Sequence, residues 1–167
     1  NIGYPILIKA SAGGGGIGMQ IVNNFNELKS AIEKTKNLAK KAFGNSDIFL
    51  EKFIRNSRHI EIQVFGYGEK SAVHFYERDC SIQRRFQKII EESPAPKVEQ
   101  SIIKEMAEMS VNFASDQKYE GAGTIEFIYD IDQKKFYFLE MNTRIQVEHP
   151  VTEEITGVDL VELQIKY

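Results

Sequence analysis

The chain has 167 residues, 42% apolar and 27% charged, proportions of a globular protein with one sizeable core or two small lobes rather than of a disordered or fibrous chain. Its net charge of −3 gives no reason to expect a nucleic-acid or anionic-membrane partner, and no apolar run approaches membrane-spanning length. Cys80 is the sole cysteine, which excludes an internal disulfide and suits a reducing, cytoplasmic setting, or a mitochondrial matrix in a eukaryote.

Tyr4–Ala10 is a short β-rich run and predicts a strand. Ser11–Gly18 is a glycine-rich turn, from which Met19–Asn23 returns as a second strand. Asn24 with Glu27 three residues on resembles a capping box. Behind it Leu28, Ala31, Ile32, Leu38, Ala39, Ala42 and Phe43 recur at helical spacing, with a gap at Thr35 and a stop at Gly44. Ile48–Phe53 predicts a third strand. His59–Phe65 predicts a fourth, in which Ile60, Ile62 and Val64 alternate with polar residues, and Ser71–Tyr76 a fifth. "SPAPK" at 93–97 is a loop, and residues 98–115 carry Ile102, Ile103, Met106, Met109, Val111 and Phe113 mostly at helical spacing. Gly121-Ala122-Gly123 leads into a strand over Thr124–Tyr129, and "DIDQKK" turns the chain into a hairpin partner, Phe136–Met141. The order β-β-α-β, then β-β-α-β-β, predicts an α+β chain of two lobes, 1–54 and 55–167. The chain opens in a strand and ends in "VDLVELQIKY", which reads as a helix still running. It is therefore expected to be a piece of a longer polypeptide.

"KASAGGGGIGM" sets Lys9 at a strand end before four consecutive glycines. Glycines let backbone N–H groups approach an oxyanion and permit a mobile flap. The run is neither a Walker A loop nor a GxGxxG turn, and alone it is better explained by a plain flexible hairpin. "FLEMNTRIQVEHP" places Glu140, Asn142, Arg144, Gln146 and Glu148 on one parity, which in an extended chain is one face. Glu126 in one hairpin strand, with Glu140 and Asn142 in its partner, could hold one or two Mg²⁺ and leave room for phosphate oxygens. A solvated polar edge face would explain Glu126 alone, but "FYFLEMN" is apolar enough for an interior strand. Arg144 offers a planar fork for a carboxylate or bicarbonate, and Glu148 lies close enough to be a base toward it. His149 is exposed by parity and reads as a structural cap. The basic cluster of Arg78, Arg84, Arg85 and Lys88 reads first as a solvated face. Gln83 and Lys88, followed by Ile89-Ile90, suggest that part of it is buried and paired. Glu51 and Lys52 alternate with Leu50 and Phe53 on a connecting strand suited to an adenine edge.

"YPILIKASAGGGGIG" and "FLEMNTRI" resemble two signatures of the carbamoyl-phosphate synthase and biotin carboxylase branch of the ATP-grasp enzymes. "EKFIRNSRHIEIQVFG", "ERDCSIQRRFQKIIEESPAP", "GAGTIEF" and "EMNTRIQVEHPVTEEITGVDLVE" are similar to biotin carboxylase in particular, and the resemblance runs end to end. It implies an ATP-grasp fold and the first half-reaction of a biotin-dependent carboxylase. In that reaction ATP phosphorylates bicarbonate to carboxyphosphate, whose CO₂ passes to biotin on a carrier protein. The residues implied for ATP are Lys9, Gly15 and Gly16 of a lid, Glu51, Lys52, Phe53 and Ile54 at the adenine and ribose, His59, Gln83, Glu126 and Glu140. Glu126, Glu140 and Asn142 would hold Mg²⁺ or Mn²⁺. Lys88, Arg144, Gln146 and Val147 would bind bicarbonate, with Lys88, Arg144 and Glu148 catalytic, Glu148 as the base and Arg144 also steadying the biotin enolate. A biotin carboxyl carrier protein or domain, a carboxyltransferase and a homodimeric full-length protein are the implied partners. The family's N-terminal lobe, with a further ATP-binding lysine, and its C-terminal part, with another biotin-facing arginine, have no counterpart here. Phe86 stands where relatives carry His or Asn beside the nucleotide, and Ile17 where many acyl-CoA carboxylases carry a basic residue. Other ATP-grasp ligases, such as a carbamoyl-phosphate synthase half, and a non-catalytic nucleotide-binding module are the competing readings.

Overall fold

Among the described residues, two antiparallel sheets, one of three strands and one of five, organise the chain. The structure is a computed structural model and describes residues 2–12, 17–84 and 86–167. In chain order the elements are β1 (Ile6–Ala10), β2 (Met19–Val22), α1 (Phe25–Phe43), β3 (Ile48–Lys52), β4 (Ser57–Tyr67), β5 (Ala72–Arg84), β6 (Gln87–Glu92), α2 (Gln100–Asp116), β7 (Glu120–Asp130), β8 (Lys135–Asn142), α3 (His149–Thr156) and α4 (Leu160–Lys166). They form two compact units, Asn1–Arg55 with Arg84–Gln87, and Asn56–Gln83 with Lys88–Tyr167. Among the described residues no helix is long and apolar enough to cross a membrane.

In the first unit the sheet order is β2-β1-β3. Ile8, Val22 and Ala31 form the core, with Leu28, Ile32, Ile48 and Leu50 packed on it. The α1 N-terminus is fixed as its sequence predicts: the Asn24 side chain accepts from the Glu27 amide at 3.3 Å, and Glu27 accepts from the Asn23 amide at 3.0 Å. Gly44 ends the helix at φ 72, a conformation that costs a residue with a Cβ. The gap at Thr35 is no gap in packing. Thr35 is buried, and its hydroxyl faces Gln20 at 3.5 Å.

In the second unit the order is β6-β5-β4-β7-β8. Ile60, Ile62 and Val64 of β4, and Ile125, Phe127 and Tyr129 of β7, point to one face and pack under Ile103, Met106, Ala107 and Ala114 of α2. The helix's buried stripe is thus made partly of small residues, while Met109 and Phe113 of the predicted stripe are exposed. Where the chain returns from α2, the Tyr119 carbonyl lies 1.9 Å from where a Cβ on Gly66 would be, so only glycine fits.

The second unit is richer than the predicted β-β-α-β-β. β5 runs through the basic cluster to Arg84, and β6 adds a strand that was not predicted, with Ile89 and Ile90 themselves exposed. "HPVTEEIT" forms α3 with proline in its first turn, and α4 follows. β8 is the sheet's edge strand in this chain rather than an interior one, and Phe138 is 54% exposed. Its apolar residues are used instead at the hairpin: Phe136 packs edge-on to Phe127 at 5.4 Å.

Candidate active site

The face of the five-stranded sheet away from α2 carries the polar residues of the alternation. The register puts Arg78 of β5 opposite Glu61 of β4, Glu61 opposite Glu126 of β7, and Glu126 opposite Glu140 of β8. One guanidinium and three carboxylates thus stand in line across four strands. The next line holds Gln63, Thr124 and Asn142.

Lys88, at the start of β6, organises this row. Its ammonium donates to Glu61, to Glu126 at 2.8 Å and to Glu148 at 2.8 Å. Glu61 is fully buried and Glu126 nearly so, at 4% exposure. Burial pulls the Lys88 pKa down, but the adjacent Glu61, Glu126 and Glu148 carboxylates outweigh it and hold it above the ordinary lysine value. Burial likewise opposes ionisation of Glu126; hydrogen bonds from His59 and Lys88 override it and bring the carboxyl down to about 2. For Glu148 burial again pushes up, and the Lys88 hydrogen bond leads the effects that bring it below the usual range. The Glu126 and Glu148 carboxylates are therefore ionised together around one shared cation.

His59 bridges outward from this cluster. Its Nε2 is 2.6 Å from Glu126 Oε2, and its Nδ1 is 2.7 Å from the Gln83 amide nitrogen. The Gln83 nitrogen can only donate, so Nδ1 accepts and the ring proton sits on Nε2, donated to Glu126. Asn142 and Gln146 donate to Glu126 Oε1 at 2.9 and 3.2 Å.

The predicted single row holds only as far as Asn142. β8 ends there and the chain bends, because α3 starts at His149 and draws 143–148 out of extended geometry. Gln146 and Glu148 nonetheless return to Glu126 and Lys88, whereas the Val147 side chain is 92% exposed. Arg144 is exposed, with Nη2 3.4 Å from the Asn142 oxygen and Nη1 3.2 Å from the Ile145 carbonyl. His149 is half-buried rather than exposed, its Nδ1 2.8 Å from the Gln146 carbonyl. Arg78 departs most from expectation: the reading of a solvated basic face fits exposed Arg84, while Arg78 has no exposed surface. Glu61, Gln63, Thr124 and Thr152 joined no candidate list. For the first three the signal was present in the alternation of β4 and β7, whose polar parity faces the site; Thr152 sits on α3 and had no such signal.

The donor set suits a hard divalent cation. Glu140 is exposed opposite Glu126 and brings carboxylate oxygens, and Asn142 brings an amide oxygen. Glu126 Oε1 already accepts three N–H donors, so a cation would meet its Oε2 and the oxygen side of Asn142. Among the described residues, ligating atoms of His59, Glu61 and Glu126, and of Glu61, Cys80 and Glu148, also lie within 4.8 Å of one another. Lys88 and Arg78 already face those carboxylates as counter-ions. Burial pushes the Cys80 thiol up, with Glu61 adding to it, so this cysteine is inert as a thiolate.

The other predicted nucleotide residues lie on the first unit. Lys9 Nζ is 3.2 Å from Glu51 and stands 5.3 Å from the centre of the Phe49 ring. Lys52 donates to the Tyr4 carbonyl at 2.8 Å, and the Phe53 amide to the Pro5 carbonyl at 3.1 Å. Ile54 lies two residues beyond the end of β3. Gly15 and Gly16, with Arg85, lie outside the described residues.

A carboxylate-lined antiparallel sheet with a shared lysine, on a chain whose sequence is glycine-rich after its first strand, fits the ATP-grasp class. The chain belongs to the family of carbamoyl-phosphate synthase L chain ATP-binding domains, whose model matches residues 1–167. It is 55% identical to biotin carboxylase 2 of Bacillus subtilis over 99% of its length and 37% of that protein's. It is 54% identical to the propionyl-CoA carboxylase alpha chain of Ruegeria pomeroyi, over 99% of its own length and 24% of the relative's. In structure it matches the biotin carboxylase domain dimer of Hydrogenobacter thermophilus 2-oxoglutarate carboxylase, described in complex with MgADP, ADP and bicarbonate. That match has a TM-score of 0.92 and 52% identity over 99% of this chain and 36% of the other. The chain thus spans about a quarter to a third of the relatives' length.

Proposed function

We propose that this chain is the nucleotide- and bicarbonate-handling part of a biotin carboxylase within a longer enzyme. The overall reaction would be ATP-dependent phosphorylation of bicarbonate to carboxyphosphate, whose CO₂ is then passed to biotin on a carrier protein. The observation that carries this is the Lys88 ammonium shared by three carboxylates, with the Gln146 amide donating beside it. An anion of bicarbonate's size can take one of those ammonium donors and that amide. Glu148, ionised and hydrogen-bonded to the same ammonium, is then the base within reach of the bicarbonate hydroxyl. As the anion draws on the ammonium, the pull that holds Glu148 low weakens, and its basicity rises toward what the step needs. Arg144, exposed at the end of β8, presents a fork to the anion and later to the biotin enolate. The backbone at Val147 completes the anion's surroundings.

Lys9 and Glu51–Ile54 are assigned to the phosphates, adenine and ribose, with Gly15 and Gly16 as a lid, and His59, Gln83, Glu126 and Glu140 on the nucleotide side of the carboxylate row. A divalent cation, held by Glu140, Glu126 and Asn142, would supply charge neutralisation for the transferring phosphoryl group. A carrier protein or domain, a carboxyltransferase and a second copy of the full-length chain are the partners. The H. thermophilus domain dimer, described in complex with MgADP and bicarbonate together, supports this assignment of substrates. Comparable identity to a propionyl-CoA carboxylase and a 2-oxoglutarate carboxylase fits a segment that handles the shared half-reaction and does not read the final acceptor.

The test is bicarbonate-dependent ATP hydrolysis by the full-length polypeptide, stimulated by free biotin. Turnover independent of bicarbonate overturns the proposal. Bicarbonate dependence without biotin stimulation points instead to another ligase of the family, such as a carbamoyl-phosphate synthase half.

A further inference from the structure

Arg78 is among the largest fully buried side chains in the molecule, and no step assigned above uses it. A guanidinium stays charged in any protein environment, so its burial has to be matched donor by donor. It is matched in full. Nε donates to Glu61 Oε1 at 2.5 Å. Nη1 donates to Gln63 at 2.8 Å and to Thr152 at 2.7 Å, and Nη2 to Thr124 at 3.4 Å and Gln146 Oε1 at 3.2 Å. Five N–H groups meet five side-chain acceptors, drawn from β4, β7, the segment after β8, and α3.

Two consequences reach the site. With one Glu61 oxygen held by Arg78, the other is presented to Lys88. A guanidinium only donates, so Gln146 must turn its oxygen toward Nη2; its NH₂ is thereby aimed at Glu126 Oε1. Resting on the biotin carboxylase reading, we propose that Arg78 is a positioning residue for the bicarbonate step. It fixes Gln146 as a hydrogen-bond donor and Glu61 as the counter-ion of Lys88, so that an entering anion meets two donors already oriented. Donors fixed in advance need no reorganisation when the anion arrives. Lysine cannot substitute, because three donors on a point charge do not reach five acceptors.

The experiment is steady-state kinetics of the full-length enzyme carrying Arg78→Lys. The expected result is a KM for bicarbonate raised about tenfold or more, with the KM for Mg·ATP within about twofold of the parent. A merely structural defect would lower the active fraction and hence kcat, leaving both KM values unmoved; that result overturns the proposal. Gln146→Glu, which still accepts from Arg78 but donates nothing, is expected to raise the bicarbonate KM similarly, and the double variant to be no worse than either single one. Full additivity overturns it. If Arg78→Lys does not fold, Thr152→Val removes a single acceptor and leaves the charge pair; a bicarbonate KM raised about threefold supports the proposal and an unchanged one overturns it. Wild-type turnover without bicarbonate dependence removes the functional reading and this inference together. A bicarbonate-dependent wild type with an indifferent Arg78→Lys removes this inference alone.

Discussion

Lys9 and Lys88 are about equally exposed, 20% and 18% in their side chains, and are held in opposite ways. Lys9, on the three-stranded sheet, has one carboxylate neighbour, Glu51, itself 39% exposed, and an aromatic ring beneath it. Lys88, on the five-stranded sheet, has three carboxylates, exposed 0%, 5% and 12%. The first pair sits in high dielectric and can trade its partner for a ligand at small cost. The second cannot lose a member without leaving charge stranded in a dry interior. Accessibility of the ammonium is a poor guide to its job; the burial of its counter-ions is the better one. A lysine that exchanges its whole partner for a ligand suits the first arrangement, and one that holds several carboxylates in fixed positions while sharing a donor with a bound anion suits the second.

The largest expected effect tests the second half of that contrast. Lys88→Met leaves Glu61, Glu126 and Glu148 facing one another without their shared cation, and should destabilise the protein by about 3–5 kcal/mol. Urea denaturation of variant and parent measures it. A loss below about 1 kcal/mol would place Lys88 in the same class as Lys9.

Glu140 separates the chemistry of the row from its stability. It lines up with Glu126 but is exposed, so Glu140→Gln should leave stability within about 0.5 kcal/mol of the parent. If Glu140 acts on developing phosphoryl charge as proposed, kcat of the full-length enzyme should nonetheless fall by about 10²-fold or more, with a smaller change in KM for ATP. An unchanged kcat with a raised KM would make Glu140 a binding residue only.

What the sequence made legible follows from the same distinction between local and long-range causes. The capping box at Asn24, the αL stop at Gly44 and the alternation of Ile60, Ile62 and Val64 are each written within a few residues, and each is found in the structure. The Glu126, Glu140 and Asn142 set could be named because a hairpin places its own partners opposite one another. Arg78 was not legible as a buried group, because its burial depends on Glu61, seventeen residues away, and on Thr152, seventy-four away. No local pattern distinguishes a charge destined for such a network from one destined for solvent. The β5–β6 turn escaped for a different reason. Phe86 adopts φ 65 there, a conformation that glycine or asparagine would have announced. α3 was hidden by the alternation itself, which continues in the letters beyond the point where the strand ends.

On the first unit, stability should reside in helix α1 and its seat rather than in the exposed ion pair. Asn24→Ala removes the side-chain acceptor for the Glu27 amide and should cost about 1 kcal/mol. Thermal denaturation checks this, and a shift indistinguishable from zero would mean that the first turn is held by packing alone.

The smallest expected effect on stability is that of Lys9→Met. The pair with Glu51 is half in solvent, and methionine keeps most of the side chain's contact with Phe49, so the change should stay under about 1 kcal/mol. Function should tell the opposite story. If Lys9 exchanges Glu51 for nucleotide phosphates, its loss removes a charge that holds ATP in ground and transition states alike, and KM for ATP should rise about tenfold with a lesser change in kcat. Calorimetry with Mg·ATP on the full-length enzyme gives the same comparison without turnover. A large stability loss, matched by little change in nucleotide affinity, would mean that the Lys9–Glu51 pair is structural cement. The contrast with Lys88 would then be one of degree rather than of kind.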